Sequence, residues 1–494
     1  MKLAQLLAHI DVIESTADPA LEITGISYDS RKTQPGDLFV AVKGFEVDGH
    51  RFIPKAVANG AAAVLCEDAP ADGTPYVKIR DCRHGLAIAS REFYGNPASR
   101  MKLVGFTGTS GKTSSTHIMK HVLEAELGAR VGLIGTNGNM IGDRLLHTEH
   151  TTPESLELHR LFKQMADEGC THVVMEVSSH SLALSRVAGI DFDVAVFTNL
   201  SQDHLDLHGT MEEYARAKKK LFSQCRTGCV NIDDERGAFM MEGADCPMLR
   251  YSTQKNAELT ASGIRLSAEG VHFTAAYGGE QAAVKLAIPG LFSVYNALSV
   301  MAACLSLGMS LKAAADGISS AKGVKGRMEP VPTDGDYSVI IDYSHKPDAL
   351  EKALKALRPV TRGRLIVLFG CGGDRDRGKR PIMGRVAAEN ADLVVVTSDN
   401  PRTEDPMDII HEILPGLEKS KTPHKMICDR PEAIRWAIDN AHSGDVILLA
   451  GKGHEDYQII GHEKHHMDER EIVADWLKER ARPQNAARAD SNKN

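Results

Sequence analysis

The chain has 494 residues, of which 42% are hydrophobic and 25% are charged, and its formal net charge is -8 at pH 7. One hydrophobic core does not support this length, so we expect two to four domains. The acidic balance argues against a general nucleic-acid-binding protein, which needs a basic face, but it allows a local site for a small phosphorylated ligand.

The N-terminus predicts an amphipathic helix and not a membrane anchor. Residues 1–14 begin with a short apolar run that His9, Asp11 and Glu14 soon interrupt. The segment lacks the apolar core and the cleavage site of a signal peptide. No later apolar stretch approaches the length needed to cross a bilayer, so we expect no membrane insertion.

The nine cysteines predict reduced thiols and a cytoplasmic location. They are odd in number and mostly scattered among apolar neighbours. Cys225 and Cys229 are spaced like half of a zinc site, but no second pair follows at a suitable distance. Buried thiols are therefore the favoured interpretation of these two residues.

Two turn-rich segments divide the chain. The first is residues 95–100, and the second is residues 326–335, which contain Pro330 and Pro332. We therefore predict domains near 1–98, 99–330 and 331–494. The polar tail from about residue 483 lacks periodicity, so we expect it to be disordered.

The two later domains predict an α/β fold with parallel sheets. Short apolar runs alternate there with helical patterns, as in sheets covered by helices. The predicted strands are Leu103 to Phe106, His172 to Val177, Val194 to Thr198, Ser338 to Asp342, Arg364 to Phe369, Leu393 to Thr397 and Val446 to Ala450. Ligands of such sheets gather at the carboxyl ends of the strands, where the polar motifs of this chain fall.

A glycine-rich loop between a strand and a helix predicts ATP binding. Gly108 and Gly111 allow the backbone N–H groups to point at phosphate oxygens. Lys112 can reach the terminal phosphates, and the Thr113 hydroxyl can bind Mg²⁺. The strict phosphate-loop pattern fails only at its first glycine position, which is Phe106.

The segment from Thr107 to Thr113 resembles the T-G-T-x-G-K-T loop of the Mur ligases and of their folylpolyglutamate synthase relatives. The resemblance implies a three-domain Mur ligase architecture. It has a UDP-binding N-terminal domain, a central P-loop ATPase domain and a Rossmann-like C-terminal domain. The ATP-binding residues that it implies in this loop are Gly108, Thr109, Ser110, Gly111, Lys112, Thr113 and Ser114.

A candidate magnesium centre follows the phosphate loop. Glu176 ends a strand, and its carboxylate is the hard oxygen ligand that Mg²⁺ prefers. His204 alone would more often be a helix cap or a core residue. However, E-V-S-S-H at 176–180 and T-N-L-x-x-D-H-L-D at 198–206 resemble Mur ligase signatures. Similar ligases also carry a carbamylated lysine at the position of Lys218, whereas Lys219 and Lys220 are expected to face solvent.

The resemblance thus implies two overlapping sets of residues. The catalytic residues would be Lys112, Glu176, His204 and Lys218. The metal ligands would be Thr113, Glu176, His204 and Lys218 as its carbamate.

Three further residues are implied to contact ATP. Asn296 resembles the asparagine of an N-A-x-x-A helix that contacts adenine, although without the family it would be interpreted as a helix cap. Arg327 is suited to phosphate and Asp342 to a ribose hydroxyl. Lys346 departs from the threonine usual in the family.

The UDP-muramoyl-dipeptide site is implied by motifs in the first two domains. Segments at 28–31, 36–41 and 44–49 resemble the UDP-binding module, although Ser30 and Glu46 also fit ordinary turn chemistry. Asparagine is more frequent than histidine at position 150 in relatives. The implied contacts are Tyr28, Ser30, Phe45, Glu46, Val47, His150, Thr151, Thr152, Ser178 and Arg186.

The last domain is expected to select the amino acid. Diaminopimelate needs a cation for its distal carboxylate and an acid for its ammonium. Arginine supplies the first and carboxylates the second. D-N-P-R at 399–402 is the tetrapeptide associated with diaminopimelate-adding members of the family. The implied contacts are Arg375, Asp399, Asn400, Pro401, Arg402, Gly451 and Glu455.

We therefore expect a monomeric ligase that uses ATP and Mg²⁺ to add meso-diaminopimelate to a UDP-linked muramoyl dipeptide. Its partners would be small-molecule substrates and not nucleic acid. The alternatives within the family are an L-lysine-adding ligase, a D-alanyl-D-alanine-adding ligase and a folylpolyglutamate synthase. A non-catalytic, nucleotide-gated relative is the alternative of another class.

Overall fold

The computed structural model describes residues 1–44, 47–148 and 150–491. The chain forms two compact units. The first comprises Met1–Thr260, Tyr277–Gly279 and Leu298–Gly317, and the second comprises Ala261–Ala276, Glu280–Ala297 and the residues from Ile318 onward. No helix in the described part of the chain has the length and apolar character needed to cross a membrane.

The N-terminal part of the first unit is a five-stranded sheet covered by helices. Its elements are α1 (Leu3–Leu6), β1 (Val12–Ser15), β2 (Gly25–Ser27), β3 (Asp37–Val40), α2 (Ile53–Ala58), β4 (Ala63–Cys66), β5 (Tyr76–Ile79) and α3 (Cys82–Phe93). The strand order is β1-β5-β4-β3-β2, and only β1 runs antiparallel to its neighbour.

The predicted N-terminal helix is mostly wrong. Helix α1 ends at Leu6, and Val12–Ser15 form a strand that pairs with β5. The β-branched residues Val12 and Ile13 favour a strand, and the free edge of β5 satisfies its backbone hydrogen bonds.

The central part of the first unit contains the predicted parallel sheet. Its elements are β6 (Lys102–Thr107), α4 (Lys112–Leu127), β7 (Val131–Ile134), β8 (Asn139–Ile141), β9 (Arg144–Leu146), α5 (Ser155–Asp167), β10 (His172–Glu176), α6 (Ser179–Ala183), β11 (Phe192–Phe197), α7 (Leu205–His208), α8 (Met211–Lys219), β12 (Cys225–Asn231), α9 (Gly237–Met241) and β13 (Met248–Ser252). The strands follow the order β13-β12-β11-β6-β10-β7-β8-β9. The carboxyl ends of β10, β6 and β11 therefore lie side by side.

Three strands and two helices then lead into the last part of the chain. They are β14 (Leu259–Ser267), β15 (Gly270–Tyr277), β16 (Glu280–Leu286), α10 (Leu291–Ser306) and α11 (Leu311–Ser320).

The last part of the second unit has a six-stranded sheet in the order β17-β18-β22-β19-β20-β21. Its elements are β17 (Glu329–Val331), β18 (Ser338–Asp342), α12 (Pro347–Leu357), β19 (Leu365–Phe369), α13 (Lys379–Asn390), β20 (Leu393–Val396), α14 (Pro406–Leu417), β21 (His424–Met426), α15 (Arg430–Asp439), β22 (Val446–Ala450), β23 (Tyr457–Ile460), β24 (Glu463–His466) and α16 (Glu469–Ser491). All of its strands are parallel except β17.

The seven predicted strands are confirmed, each within two residues at either end. The tail differs from expectation, because α16 continues through the segment from residue 483 that was expected to be disordered. Ala486, Ala487 and Ala489 have high helix propensity, which favours continuation of the helix.

Candidate active site

The glycine-rich loop connects β6 to α4, as predicted. Gly108 and Gly111 have φ angles of 153° and 86°, which other residues rarely adopt. A Cβ atom on Gly108 would lie 1.9 Å from the Thr198 hydroxyl oxygen. Lys112 folds back over the loop, and its Nζ atom donates hydrogen bonds to the carbonyl oxygens of Gly108 and Thr109 at 2.7 and 3.0 Å.

Residues after strand β11 hold this loop in place. The N–H group of Ser110 donates to the Asn199 side chain at 3.0 Å, and the Asn199 amide donates back to the Ser110 carbonyl at 3.0 Å. The Thr198 hydroxyl donates to the same carbonyl at 2.8 Å. This supporting role was not predicted from the sequence. The position of Thr198 and Asn199 directly after β11, the neighbour of β6, could have indicated it.

Lys218 lies directly beneath the loop. Its side chain is 1% exposed, and its Nζ atom donates to the Gly108 carbonyl oxygen at 2.9 Å. Burial, together with the charge of Lys112, lowers the pKa of Lys218 well below that of a free lysine. The Nζ atom also lies 4.5 Å from the centre of the Tyr214 ring. The environment therefore favours an uncharged amine at this position.

Glu176 is the last residue of β10 and is buried. Its carboxylate accepts hydrogen bonds from the N–H group of Thr136 at 2.8 Å and from the Thr136 hydroxyl at 3.2 Å. Gly135 permits this approach, because a Cβ atom there would lie 2.5 Å from the carboxylate. Thr136, which follows strand β7 next to β10, was not predicted from the sequence.

His204 lies among other rings. It has a φ angle of 52°, its ring is edge-on to that of His180 at 4.7 Å, and its Nε2 atom lies 3.4 Å from the Asp203 carboxylate. Within residues 1–44, 47–148 and 150–491, no three histidine, cysteine or acidic side chains are arranged to bind a metal. Of the predicted ligands, Thr113 is buried at the start of α4, and Lys218 in α8 is hydrogen-bonded to the loop that precedes this helix.

Four predicted muramoyl-dipeptide contacts are linked to Glu176. The Thr152 hydroxyl donates to the Glu176 carbonyl at 2.8 Å and accepts from the Ser178 N–H group at 3.2 Å. Arg186 donates to the Thr152 carbonyl at 3.0 Å. The hydroxyls of Thr151 and Thr136 lie 3.0 Å apart. The structure thus places Thr152 at the backbone of Glu176, and Thr151 beside the Thr136 hydroxyl that binds the Glu176 carboxylate.

The predicted UDP contacts surround two cavities. Tyr28 and Val47 line a cavity of about 240 Å³, whose apolar walls include Phe52. Tyr28 and His150 line a second cavity of about 390 Å³. Ser30 is buried, and its carbonyl oxygen accepts a hydrogen bond from the Asn59 side chain at 2.7 Å.

Two of these predicted contacts, Phe45 and Glu46, lie outside the described residues. The hydroxyl of Tyr28 donates to the Glu157 carboxylate at 3.1 Å, and burial raises the pKa of Tyr28.

In the second unit, the loops after β19 and β20 are bound to each other. The Arg402 side chain donates to the Gly373 carbonyl at 2.9 Å, and the Gly373 N–H group donates to the Asn400 carbonyl at 2.9 Å. A Cβ atom on Gly373 would lie 1.9 Å from the Pro401 carbonyl oxygen, so the two backbones are in close contact. Arg375 is exposed beside this junction.

Arg380 fixes the same two loops from below, and the sequence analysis missed it. It is fully buried and donates to both carboxylate oxygens of Glu404 at 2.9 and 2.8 Å. It also donates to Glu412 at 2.7 Å. A buried arginine with two acidic partners makes short, directional hydrogen bonds, so the loops are held in one arrangement.

The predicted acidic and amide groups of the acceptor site lie around Lys452. Asn400 and Glu455 are hydrogen-bonded to each other at 3.0 Å, and both bind the Lys452 ammonium. Asp399 lies 3.6 Å from the same ammonium. Gly451 has a φ angle of 114°, and a Cβ atom there would lie 2.6 Å from the Asp399 carboxylate.

Arg327 and Asp342, two of the predicted adenosine-side residues, lie in a second cluster of the second unit. The Arg327 guanidinium lies 5.3 Å from the centre of the Tyr343 ring, which also contacts His454 at 4.8 Å. Asp342 is buried, which raises its pKa, and it accepts a hydrogen bond from the Met328 N–H group at 2.8 Å. Asn296 is buried in α10.

Three regions of the chain match known sequence families. They are described as "Mur ligase family, catalytic domain" at 22–94, "Mur ligase middle domain" at 106–304 and "Mur ligase, glutamate ligase domain" at 326–453.

Close relatives match over nearly the whole chain. The UDP-N-acetylmuramoyl-L-alanyl-D-glutamate--2,6-diaminopimelate ligase of Caldanaerobacter subterraneus subsp. tengcongensis is 48% identical, with 97% of this chain and 99% of that protein covered. A ligase of the same name, numbered 1, from Clostridium acetobutylicum is 46% identical, with 97% and 100% covered.

Solved structures are similar as well. A structure titled for the same 2,6-diaminopimelate ligase has a TM-score of 0.75 and 33% identity, with 97% of this chain and 99% of that chain covered. A MurF ligase from Thermotoga maritima, solved in complex with ADP, has a TM-score of 0.59 at 20% identity, with 94% and 99% covered, and supports the fold alone.

Proposed function

This chain belongs to the Mur ligase family, and we propose that it is the ATP-dependent ligase that joins meso-diaminopimelate to UDP-N-acetylmuramoyl-L-alanyl-D-glutamate. The observation that carries the proposal is its 48% identity, over 97% of the chain, to a ligase of that name. The bond forms at the γ-carboxylate of D-glutamate and extends the peptide of a peptidoglycan precursor.

The reaction proceeds in two steps. The γ-carboxylate attacks the terminal phosphorus of ATP, which gives an acyl phosphate and ADP. The amine of diaminopimelate then attacks the acyl carbon, loses a proton and expels phosphate. Lys112 and the N–H groups of the loop from Gly108 to Thr113 bind and orient the phosphates, so most of the rate comes from positioning and charge stabilisation.

The predicted ligand residues of the first unit suit Mg²⁺, which when bound offsets the negative charge of the phosphates. Glu176 and Thr113 are hard oxygen donors, and His204 completes the expected set. An uncharged Lys218 amine can react with CO₂, since the new N–C bond forms with loss of a proton and leaves an anionic carbamate. The carbamate would place an anionic oxygen ligand beneath the loop, where the amine alone offers none.

The contacts of Glu176 support a substrate site beside the phosphate loop. Thr152, Ser178 and Arg186, which are linked by hydrogen bonds, would bind the muramoyl dipeptide and bring its γ-carboxylate to the terminal phosphate. The cavity beside Tyr28 and Val47 has polar and apolar walls that suit a uracil base.

The second unit supplies the acceptor site. Arg375 and Arg402 bind the distal carboxylate of diaminopimelate, for which guanidinium has the matching geometry. Asp399 and Glu455 bind the distal ammonium. L-Lysine lacks the distal carboxylate and leaves the arginines without a partner.

The test is phosphate release with ATP, Mg²⁺ and UDP-N-acetylmuramoyl-L-alanyl-D-glutamate, comparing meso-diaminopimelate with L-lysine. We expect phosphate and tripeptide product with meso-diaminopimelate. Preference for L-lysine would overturn the acceptor assignment, and no product with either would overturn the proposed activity. Arg402→Met should lower the preference for meso-diaminopimelate, whereas Arg385→Met, at an exposed arginine, should keep it.

A further inference from the structure

Lys452 is a fully buried cation in the acceptor site. Its side chain is 0% exposed, and its Nζ atom donates hydrogen bonds to the Asn400 side-chain oxygen at 2.5 Å, the Tyr457 carbonyl at 2.8 Å and the Glu455 carboxylate at 3.2 Å. A buried ammonium persists only with such partners, because removing it from water is costly. The lysine therefore joins the loop after β20 to the loop after β22.

These bonds fix the orientation of the Asn400 amide. Its oxygen accepts from Lys452 and from the Ile459 N–H group at 2.9 Å. Its nitrogen must then point the other way, where it donates to the Glu455 carboxylate at 3.0 Å. Both groups of the amide are occupied, so neither Asn400 nor Glu455 can rotate without breaking a bond to the other.

Lys452 also sets the charge of the site. Asp399 and Glu455 bring two negative charges, and the ammonium lies 3.6 Å from the first and 3.2 Å from the second. These three groups, which are assigned to the distal ammonium of the acceptor, together leave one negative charge to match it, whereas Arg375 and Arg402 are assigned to the distal carboxylate. Without the lysine, two negative charges would remain and would favour an acceptor of higher net positive charge.

We propose that Lys452 is a positioning residue that orients Asn400 and Glu455 and sets the charge that favours a diamino acid with two carboxylates over L-lysine. The inference rests on the proposed function. meso-Diaminopimelate carries two carboxylates and two ammonium groups, whereas L-lysine carries one carboxylate fewer and is a net cation. The same lysine thus acts on affinity and on choice of acceptor without contacting the reacting atoms.

The test is Lys452→Met, which keeps the length of the side chain and removes its charge. We expect the KM for meso-diaminopimelate to rise at least about ten-fold, because one partner of a buried charge group is lost. The KM for ATP and for the UDP-linked substrate should change less than about two-fold, since the phosphate loop is untouched. The kcat/KM ratio of meso-diaminopimelate to L-lysine should fall at least about ten-fold.

Two further variants make the result specific. Lys452→Arg keeps the charge and should retain more of the acceptor ratio than Lys452→Met. Lys355→Met removes an exposed lysine of the same unit, which pairs with Glu351, and should behave as wild type. If Lys452→Met does not fold, as judged by circular dichroism, Lys452→Gln replaces it.

An equal rise of all three KM values, or an unchanged acceptor ratio, would overturn the inference. Failure of both neutral variants to fold would also overturn it, because the lysine would then serve the fold. Wild-type enzyme that makes no product with meso-diaminopimelate refutes the proposed function instead. If the wild-type enzyme is active and Lys452→Met has a normal KM for meso-diaminopimelate, only the role of Lys452 is refuted.

Discussion

Lys112 and Lys218 donate hydrogen bonds to the same carbonyl oxygen, that of Gly108, at 2.7 and 2.9 Å. Two ammonium groups at one acceptor repel each other, and the one that is buried loses its charge more readily. This is Lys218, whose pKa is lowered by burial first and by Lys112 second. The phosphate loop therefore keeps one cation for the nucleotide and one amine that is available for modification.

The first prediction concerns this amine. Lys218→Ala should lower kcat at least about 100-fold, because it removes the carbamate ligand and with it one anionic contact of the metal site. A short carboxylic acid such as acetate should restore part of the activity. Enzyme equilibrated with ¹³C-labelled bicarbonate should show a carbamate resonance that Lys218→Ala lacks.

Lys220→Ala is the matched control, since Lys220 is exposed two residues away and should keep both the activity and the resonance. Full activity of Lys218→Ala without added acid would refute the role of the carbamate.

The second prediction concerns Gly108. Gly108→Ala should abolish measurable ATP binding by calorimetry, because its Cβ atom would lie 1.9 Å from the Thr198 hydroxyl oxygen and the loop must move. Gly169→Ala is the control that shows the effect of backbone strain without a steric clash. Gly169 has a φ angle of 81° with nothing within 4 Å of the added atom, so we expect only a loss of about 1–2 kcal/mol in unfolding free energy. Unchanged ATP affinity in Gly108→Ala would contradict the geometry.

The third prediction concerns a buried ion pair beneath the acceptor site. Arg430 and Glu469 are both fully buried, and Arg430 also donates to the Ala450 carbonyl at 2.8 Å. Arg430→Met should lower the free energy of urea unfolding by about 3–5 kcal/mol, because it leaves a carboxylate without its partner. The double variant Arg430→Met/Glu469→Leu should lose less than the single one. A larger loss in the double variant would contradict the pairing.

The fourth prediction is a pH dependence of stability. His159 is fully buried, and burial lowers its pKa to about 3, below the value of about 6.5 of the unfolded chain. Between these values the unfolded state binds one proton more than the folded state. The contribution of His159 to the free energy of unfolding is therefore complete above pH 6.5. It is lost as the pH falls towards 3, by about 1.4 kcal/mol per pH unit.

His159→Phe should make the slope of unfolding free energy between pH 6 and 4 shallower by roughly that amount. The ring packs edge-on against Phe162 at 5.9 Å, which a phenyl group can reproduce. His84→Phe, at an exposed histidine, is the control and should keep the wild-type slope. An unchanged slope in His159→Phe would refute the assignment.

Contiguous motifs at strand ends were predictable from the sequence. The loop from Gly108 to Thr113 and the segment Asp399–Arg402 each follow a strand of the parallel sheets, and parallel strands present their carboxyl ends at one edge. Strand β1 was not predicted, because its residues continue an apolar pattern that also fits a helix, and only pairing with β5 decides between the two.

The supporting residues could not be predicted in this way. Thr136, Arg380 and Lys452 act through partners that lie up to 52 positions away in the sequence. Their types are common, so only the folded chain reveals their contacts. The roles assigned to the site residues, the three domain boundaries, the cytoplasmic location and the monomeric state stay predictions.

The hydrogen bonds that join the loops after β19, β20 and β22 lie within residues 373–455, whereas those of the phosphate loop fall within the first unit. Evolution can therefore change the choice of acceptor and the use of ATP independently of each other. A bacterial lineage can change the amino acid of its peptidoglycan peptide by substitutions within this one segment. The residues that bind ATP then remain unchanged. The same stretch is the natural segment to transplant between ligases of different selectivity.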